Sequence, residues 1–276
     1  MQEQAGLSFA QLGLNTELQS SAAQAGFTAP TPVQVEAIGH VLNGRDVLAT
    51  AQTGSGKTAA YVLPVLQLLM ATATSRDEAP KKRITQVLVL VPTRELATQV
   101  SDVLRELARP LTQSIKVGTV FGGVSINPQM MSLRSGADVV VATPGRLLDI
   151  VDHNALNLGQ VQHLVLDEAD RLLDLGFAEE LQRVLALLPT KRQNLLFSAT
   201  FEPAVQTLAE ALLHNPERIT IAQTQEHTPD IAQRAISVDE KSRTALLRHL
   251  IKTHAWKRVL VFVATRYACE HVANKL

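Results

Sequence analysis

Residues 51–58 read Ala-Gln-Thr-Gly-Ser-Gly-Lys-Thr and separate a short apolar run, residues 46–50, from a stretch with helical spacing. A glycine-rich loop between a strand and a helix is typical of proteins that bind nucleotide phosphates. Its glycines allow main-chain amides to face inward, Lys57 supplies a positive charge, and the Thr58 hydroxyl can bind magnesium. The loop therefore predicts a phosphate site at the end of a strand. The alternative is a flexible turn with an exposed lysine.

Seven short apolar runs alternate with stretches of helical spacing along the first 222 residues. They cover residues 46–50, 86–91, 115–121, 139–142, 163–166, 194–198 and 218–221. Runs that are apolar on both faces, such as residues 87–91, are typical of strands in a parallel sheet with helices on both sides. The predicted fold class is therefore α/β, a doubly wound parallel sheet. The glycine and polar residues that follow six of these runs should lie along one edge of that sheet.

The chain is predicted to contain one complete domain and part of another. Residues 1–222 form the first domain, and the polar residues 223–230 form a linker. The tail, residues 231–276, has strand-like runs at 235–238 and 258–263, a helix at 241–252 and a last helix that runs to Leu276. Two strands and two helices are too few for an independent core, so the tail is expected to be the incomplete start of a second domain. Residues 71–82 are expected to form a surface loop.

Composition excludes several classes of protein. The 26 basic and 26 acidic residues balance, so the net charge does not indicate a polyanionic partner. Any nucleic-acid site must be a local arrangement of amides and a few arginines. Cys269 is the only cysteine, which excludes an internal disulfide and a cysteine-rich metal cluster. The first residues lack the pattern of a secretory signal, and no apolar run has the ~18 residues of a membrane span. We expect a cytoplasmic protein.

A second chemical motif, Asp167-Glu168-Ala169-Asp170, follows the apolar run 163–166. A phosphate-loop enzyme needs one acidic residue there to hold magnesium and another to orient water. Asp167 fits the first role and Glu168 the second. Acidic residues at this position can instead cap the following helix.

These two motifs occur with three others in an order that resembles the DEAD-box RNA helicases. The others are Pro-Thr-Arg-Glu-Leu-Ala at 92–97, Thr-Pro-Gly-Arg at 143–146 and Ser-Ala-Thr at 198–200. Residues 26–34, with Phe9 upstream, are similar to the family's adenine-binding Q motif, although Ala29 stands where relatives often have a basic residue. Residues 197–201 and 258–262 resemble the bacterial RhlE-type branch. The resemblance implies RecA-like domains.

The resemblance also implies roles for individual residues. ATP is expected to contact Phe9, Phe27, Gln34, Ala51, Gln52, Thr53, Gly54, Ser55, Gly56, Lys57 and Thr58. Catalysis is assigned to Lys57, Asp167 and Glu168, and Mg²⁺ to Thr58 and Asp167. A Gln amide can pair with adenine N6 and N7, and Phe27 can stack on the base, although both phenylalanines are also plausible core residues.

Backbone contacts to RNA are implied at residues whose amides, hydroxyls and guanidinium groups bind phosphates without reading bases. They are Pro92, Thr93, Arg94, Gly122, Gly123, Thr143, Gly145, Arg146, Thr265 and Arg266. Taken singly, each of these residues is better explained by a turn or a helix cap. Asp170, Ser198 and Thr200 are expected to couple the acidic motif to the second domain.

The resulting hypothesis is the ATP-binding domain of an RNA-dependent ATPase that, when complete, separates short RNA duplexes. Complete relatives supply an arginine from the second domain, and its absence from these 276 residues predicts weak ATP and RNA binding and slow turnover. RNA with little sequence preference is the expected partner, together with ribosome-assembly or RNA-decay proteins; no membrane partner is expected, and the protein should be a monomer. One alternative is a nucleotide-dependent RNA- or protein-binding module without helicase activity. A DNA-directed phosphate-loop motor is another.

Overall fold

The computed structural model describes residues 7–73, 83–222 and 231–276. These residues fall into two units, one before and one after the predicted linker. The linker itself, and most of the predicted loop at 71–82, lie outside the described residues.

The first unit is built on a seven-stranded sheet in which every neighbouring pair of strands is parallel. The strands are β1 (Val47–Thr50), β2 (Val87–Leu90), β3 (Val117–Val120), β4 (Val139–Ala142), β5 (His163–Leu166), β6 (Gln193–Ser198) and β7 (Glu217–Thr220). Their order across the sheet is β3-β4-β2-β5-β6-β1-β7. The prediction of a doubly wound parallel sheet is confirmed. Each of the seven predicted runs overlaps a strand, although β6 and β7 each begin one residue earlier than predicted.

Nine helices among the described residues of this unit cover the two faces of the sheet. They are α1 (Thr16–Gln24), α2 (Pro32–Leu42), α3 (Lys57–Ala73), α4 (Arg94–Ala108), α5 (Asn127–Leu133), α6 (Pro144–Asp152), α7 (Ala169–Asp174), α8 (Ala178–Ala186) and α9 (Pro203–Leu212). Helix α3 includes residues 71–73, so the expected loop begins later than its composition indicated. Within the described residues, no helix combines the length and apolarity needed to cross a bilayer.

The core is divided by the sheet because alternate residues of each strand point to opposite faces. Val87 and Val89 of β2 pack in a cluster with residues of α1 to α4, whereas Leu88 and Leu90 pack with residues of α5 to α9. The same alternation holds in β4 and β1. Apolar residues on both faces of the central strands explain why the sequence had no polar alternation there.

The register brings the carboxyl ends of the strands to a common edge. Thr50 of β1 lies beside Ser198 of β6, and Leu90 of β2 lies between Ala142 of β4 and Leu166 of β5. Strand β6 continues only two residues past the end of β5. We call this side the carboxyl edge; loops that leave it are close neighbours regardless of their separation in sequence.

The second unit has the two predicted helices but not the two predicted strands. Its described residues contain a short 3-10 turn (Glu240–Ser242), α10 (Arg243–Thr253) and α11 (Arg266–Lys275), and residues 235–238 and 258–263 are not strands. None of residues 231–276 is buried. The strand prediction was wrong because an apolar run becomes a strand only when a neighbouring strand takes its main-chain hydrogen bonds, and no such partner exists among these residues.

Candidate functional site

The glycine-rich loop, residues 51–58, connects β1 to α3 at the carboxyl edge. The Ala51 amide donates to the Ser198 carbonyl at 3.1 Å, which attaches the start of the loop to β6. Gly54 and Gly56 have φ angles of +83° and +95°, which residues with a Cβ rarely adopt. The Lys57 ammonium is buried and donates to the Ala51 carbonyl at 2.5 Å, so the lysine closes the loop on itself.

Gly56 is also fixed by its close approach to α2. A Cβ at this position would lie 2.5 Å from Gln34 Nε2 and 2.8 Å from Thr31 Oγ1. Gln34 Nε2 donates to the Gly56 carbonyl at 3.0 Å, while Gln34 Oε1 accepts from the Thr31 amide at 3.0 Å. The residue expected to read adenine is therefore joined directly to the glycine-rich loop.

Asp167 follows β5 and is 2% exposed. Its Oδ2 accepts from the Tyr61 hydroxyl at 2.8 Å, and its Oδ1 accepts from the Glu168 amide at 3.0 Å. Burial is the main reason why the pKa of Asp167 is raised from 3.8 to about 6. The charge of Glu168 raises this pKa further, whereas the Tyr61 hydrogen bond and the charge of Lys57 lower it. Burial and the Asp167 charge likewise raise the pKa of Tyr61 well above its ordinary value, so this phenol remains a donor.

The two other acidic residues of the motif have separate partners. Glu168 adopts a left-handed backbone conformation, with φ 53°, and its carboxylate pairs with Arg171 Nη1 at 2.9 Å. Asp170 Oδ2 accepts from the Ala199 amide at 3.2 Å, the Thr200 amide at 3.0 Å and the Thr200 hydroxyl at 3.1 Å. A change in the loop after β6 is thereby linked to the acidic motif.

The residues predicted to contact RNA within the first unit follow β2, β3 and β4. Thr93 accepts from the Leu96 amide at 3.2 Å and caps α4, and Arg94 is exposed beside Glu95. Gly122 and Gly123 follow β3, and Gly145 lies in the first turn of α6, where a Cβ would meet nothing within 4 Å. Since β3, β4 and β2 are adjacent, the three loops form one row.

Arg146 and Thr143 complete this row. The Arg146 side chain is only 12% exposed; Nη2 donates to the Val124 carbonyl at 2.8 Å, and Nε lies 3.5 Å from Asp149 Oδ2. Its Nη1 has no hydrogen-bond partner among the described residues. Thr143 is buried, and its amide donates to the Val120 carbonyl at 3.0 Å, which joins the β4 loop to β3.

The remaining predicted residues are dispersed. Phe9 is buried in the core formed with α1 to α4, and Phe27 packs partly against the same cluster. Ser198 is fully buried, and its hydroxyl has no hydrogen-bond partner among the described residues. Thr265 caps α11 by accepting from the Ala268 amide at 3.1 Å, and Arg266 is exposed beside Glu270; both belong to the second unit.

The structure also identifies a residue that the motifs did not predict. Tyr61 lies three and four residues after Thr58 and Lys57 on α3, so all three share a helix face. That spacing was the available signal, but an aromatic residue within an apolar helix is ordinary core by default. The hydrogen bond to Asp167 distinguishes Tyr61 from the apolar core residues around it.

The oxygen atoms at the carboxyl edge are suited to one hard cation that a bound ligand would also help to coordinate. Within the described ranges, no group of three His, Cys, Asp or Glu side chains can enclose a metal ion. Mg²⁺ does not need one, because it usually takes one or two carboxylates together with waters and substrate phosphates. Asp167, a buried carboxylate beside a hydroxyl-bearing phosphate loop, fits that pattern.

Comparisons with known proteins show which family this chain resembles. Residues 31–208 match the model of the DEAD/DEAH box helicase family. The chain is 37% identical over 268 residues to the ATP-dependent RNA helicase DeaD of Escherichia coli, covering 97% of this chain and 41% of that protein. It is 39% identical over 259 residues to the DEAD-box ATP-dependent RNA helicase RhpA of Helicobacter pylori, covering 94% and 50%, respectively. For the ATP-dependent RNA helicase SrmB of E. coli, the identity is 40% over 270 residues, covering 97% and 59%.

A crystal structure of a DEAD box protein from the hyperthermophile Methanococcus jannaschii resembles the whole chain, with a TM-score of 0.71 and 31% identity. The similarity covers 98% of this chain and 69% of that one. The chain spans between 41% and 59% of the length of the three relatives named above.

Proposed function

Since this chain belongs to the DEAD/DEAH box helicase family, we propose that it is the ATP-binding part of an enzyme that hydrolyses ATP in response to RNA and separates short duplexes. The observation that carries this proposal is the meeting of Lys57, Asp167 and the Asp170–Thr200 contact at one edge of the sheet. This edge would contact a phosphate group through Lys57 and a divalent cation through Asp167. The Asp170–Thr200 contact would couple both to a second domain.

The phosphates of ATP are proposed to lie on residues 51–58. An ammonium has three donors, and the Lys57 bond to the Ala51 carbonyl leaves two of them for phosphate oxygens. The main-chain amides of the glycine-rich loop and the first turn of α3 supply further donors and a positive field.

Adenine is proposed to contact Gln34. The Gln34 amide has two donor hydrogens and two acceptor lone pairs. The bond to the Gly56 carbonyl uses one donor, and the bond from the Thr31 amide uses one acceptor. The remaining donor and acceptor match adenine N7 and N6, whereas guanine presents two acceptors there and would be rejected. Because the same side chain contacts Gly56, recognition of the base would also stabilise the phosphate loop.

Mg²⁺ is proposed to bind Asp167 and the Thr58 hydroxyl. When bound, the ion would offset part of the negative charge of the triphosphate. Asp167 would meet this task as an ionised ligand, because its pKa of about 6 leaves it charged at neutral pH. Glu168, whose carboxylate is oriented by Arg171, would orient the attacking water.

RNA is proposed to lie along the row formed by the loops after β2, β3 and β4. Hydroxyls, glycine amides and the unpartnered Nη1 of Arg146 can bind phosphate oxygens without contacting base edges. Binding should therefore show little sequence preference and a strong dependence on salt. We further propose that residues 231–276 begin the second RecA-like domain, and that Thr265 and Arg266 contact RNA from it.

Residues 1–276 by themselves are proposed to bind ATP and RNA weakly and to turn ATP over slowly. Two observations support this proposal. The chain spans about half the length of its relatives. In comparable enzymes, an arginine supplied by a second domain increases the rate by ~10³- to 10⁵-fold.

Nucleotide titrations with two lysine variants test the phosphate site. Lys57→Ala should abolish detectable binding of a fluorescent ATP analogue, because it removes the buried charge inside the loop. Lys191→Ala, at an exposed lysine after α8, is the matched control and should bind as the wild type does. Equal affinity of both variants would refute the assignment.

Phosphate release measured with single-stranded RNA and DNA tests the reaction. RNA should stimulate release slightly and DNA less. Stimulation equal to that of a full-length relative would refute the proposed dependence on the second domain, and equal stimulation by DNA would refute RNA specificity.

A further inference from the structure

Tyr61 has a hydroxyl group that core packing does not require. The residue is 1% exposed, and its ring packs against Phe197, with the ring centroids 5.2 Å apart. A phenylalanine would fill the same space without burying a polar atom, which is costly unless that atom is hydrogen-bonded. The hydroxyl must therefore be explained by its partner.

That partner is the carboxylate of Asp167, which receives one donor on each oxygen. Tyr61 donates to Oδ2 at 2.8 Å, and the Glu168 amide donates to Oδ1 at 3.0 Å. Rotation about the last bond of an aspartate has only broad minima, so a single donor leaves the plane of the carboxylate poorly defined. Two donors on different oxygens define it. Each oxygen keeps a second lone pair for another ligand.

We propose that Tyr61 is a positioning residue for the divalent cation of this site: its hydroxyl holds the Asp167 carboxylate in a single orientation before the cation and the triphosphate bind. This inference rests on the proposed Mg²⁺ role of Asp167. Partners that orient a metal-binding side chain commonly change metal affinity by about 10- to 100-fold when they are removed. The Glu168 amide cannot be removed by a side-chain substitution, whereas the Tyr61 hydroxyl can.

Tyr61→Phe is the direct test, because it deletes one oxygen and keeps the ring against Phe197. Tyr267→Phe is the matched control, since it deletes the hydroxyl of a tyrosine that is 77% exposed in the second unit. For each protein, a fluorescent ADP analogue is titrated in EDTA and at increasing Mg²⁺, and unfolding by urea is measured without metal.

Tyr61→Phe should bind the analogue in EDTA as the wild type does, but require about tenfold more Mg²⁺ for half of the metal-dependent gain in affinity. Tyr267→Phe should match the wild type in both measurements.

Three outcomes would overturn the inference. An unchanged Mg²⁺ requirement in Tyr61→Phe would show that the hydroxyl does not act on the metal site. An equal loss of affinity with and without Mg²⁺ would show a general structural role, which the urea measurement would reveal as lower stability. A wild type whose binding ignores Mg²⁺ would instead refute the proposed metal role of Asp167, and the Tyr61 proposal with it.

Discussion

Asp167→Asn should stabilise the ligand-free protein at neutral pH while damaging its proposed function. The carboxylate of Asp167 is 2% exposed, and burial is the largest cause of its raised pKa. An asparagine keeps the size of the side chain and removes the charge. Its oxygen can accept from the Glu168 amide as Oδ1 does, and its NH₂ can donate to the Tyr61 oxygen, so both polar contacts have substitutes.

The size of the effect follows from the difference between the folded and unfolded pKa. A rise from 3.8 to about 6 is worth about 3 kcal/mol, because each tenfold change in the acid constant corresponds to about 1.4 kcal/mol. The unfolded chain releases this proton near pH 4 and the folded chain near pH 6, so the contribution of Asp167 to stability is lost as the pH rises through that window. Relative to the wild type, Asp167→Asn should gain up to about 3 kcal/mol at pH 8 and about half of that at pH 5.

Urea unfolding without Mg²⁺ or nucleotide, at pH 5 and pH 8, measures this difference. Asp46→Asn is the matched control, because Asp46 is also buried but lies at the opposite edge of the sheet and accepts from the Asn194 amide and the His214 amide, each at 2.8 Å. An NH₂ group turned toward either amide would destabilise the protein by about 1–3 kcal/mol. A destabilised Asp167→Asn, or one whose gain does not change between the two pH values, would refute the reasoning.

Three further predictions concern the same edge. Gly54→Ala should cost about 1 kcal/mol of unfolding free energy because of its positive φ, and Gly56→Ala distinctly more, because its Cβ would also meet Gln34; equal values in urea unfolding would contradict this. Glu168→Gln should retain nucleotide binding and lower the remaining phosphate release by about 10²-fold or more, and retained turnover would move the water-orienting role to another residue. Asp170→Asn should speed hydrogen exchange at the Ala199 and Thr200 amides, and unchanged exchange would show that their bonds to Asp170 do not hold this loop.

The strands of the first unit were predictable because each has a clear sequence signal. Residues 139–142 and 163–166 are strands over the full predicted length, since they are apolar on both faces and are bounded by polar residues. The same rule failed for residues 235–238 and 258–263. An apolar run shows that a segment would be stabilised by burial, but it does not show that other residues are present to bury it. None of the described residues of the second unit is buried.

The positions of the site residues were predictable to the level of a sheet edge but not to the level of contacts. Parallel strands place all their carboxyl ends together, which brings residues 51–58 near Asp167 without any knowledge of strand order. Hydrogen bonds between side chains depend on that order and on helix placement. For this reason neither the Gln34–Gly56 bond nor the Tyr61–Asp167 bond was predicted. The motif likewise left open whether Phe9 contacts the nucleotide or packs in the core, and the structure shows that it packs in the core.

The distribution of unsatisfied polar atoms separates the two edges of the sheet. Among the described residues, buried side-chain atoms without a hydrogen-bond partner occur in Thr31, Ser55, Arg146, Ser198 and Gln86. The first four lie in or beside the loops at the carboxyl edge, and only Gln86 precedes a strand. At the opposite edge, Asp46 has donors for both of its oxygens. Polar groups without partners along the carboxyl edge, together with a buried carboxylate of raised pKa, therefore support the proposal that a polar, charged ligand binds there.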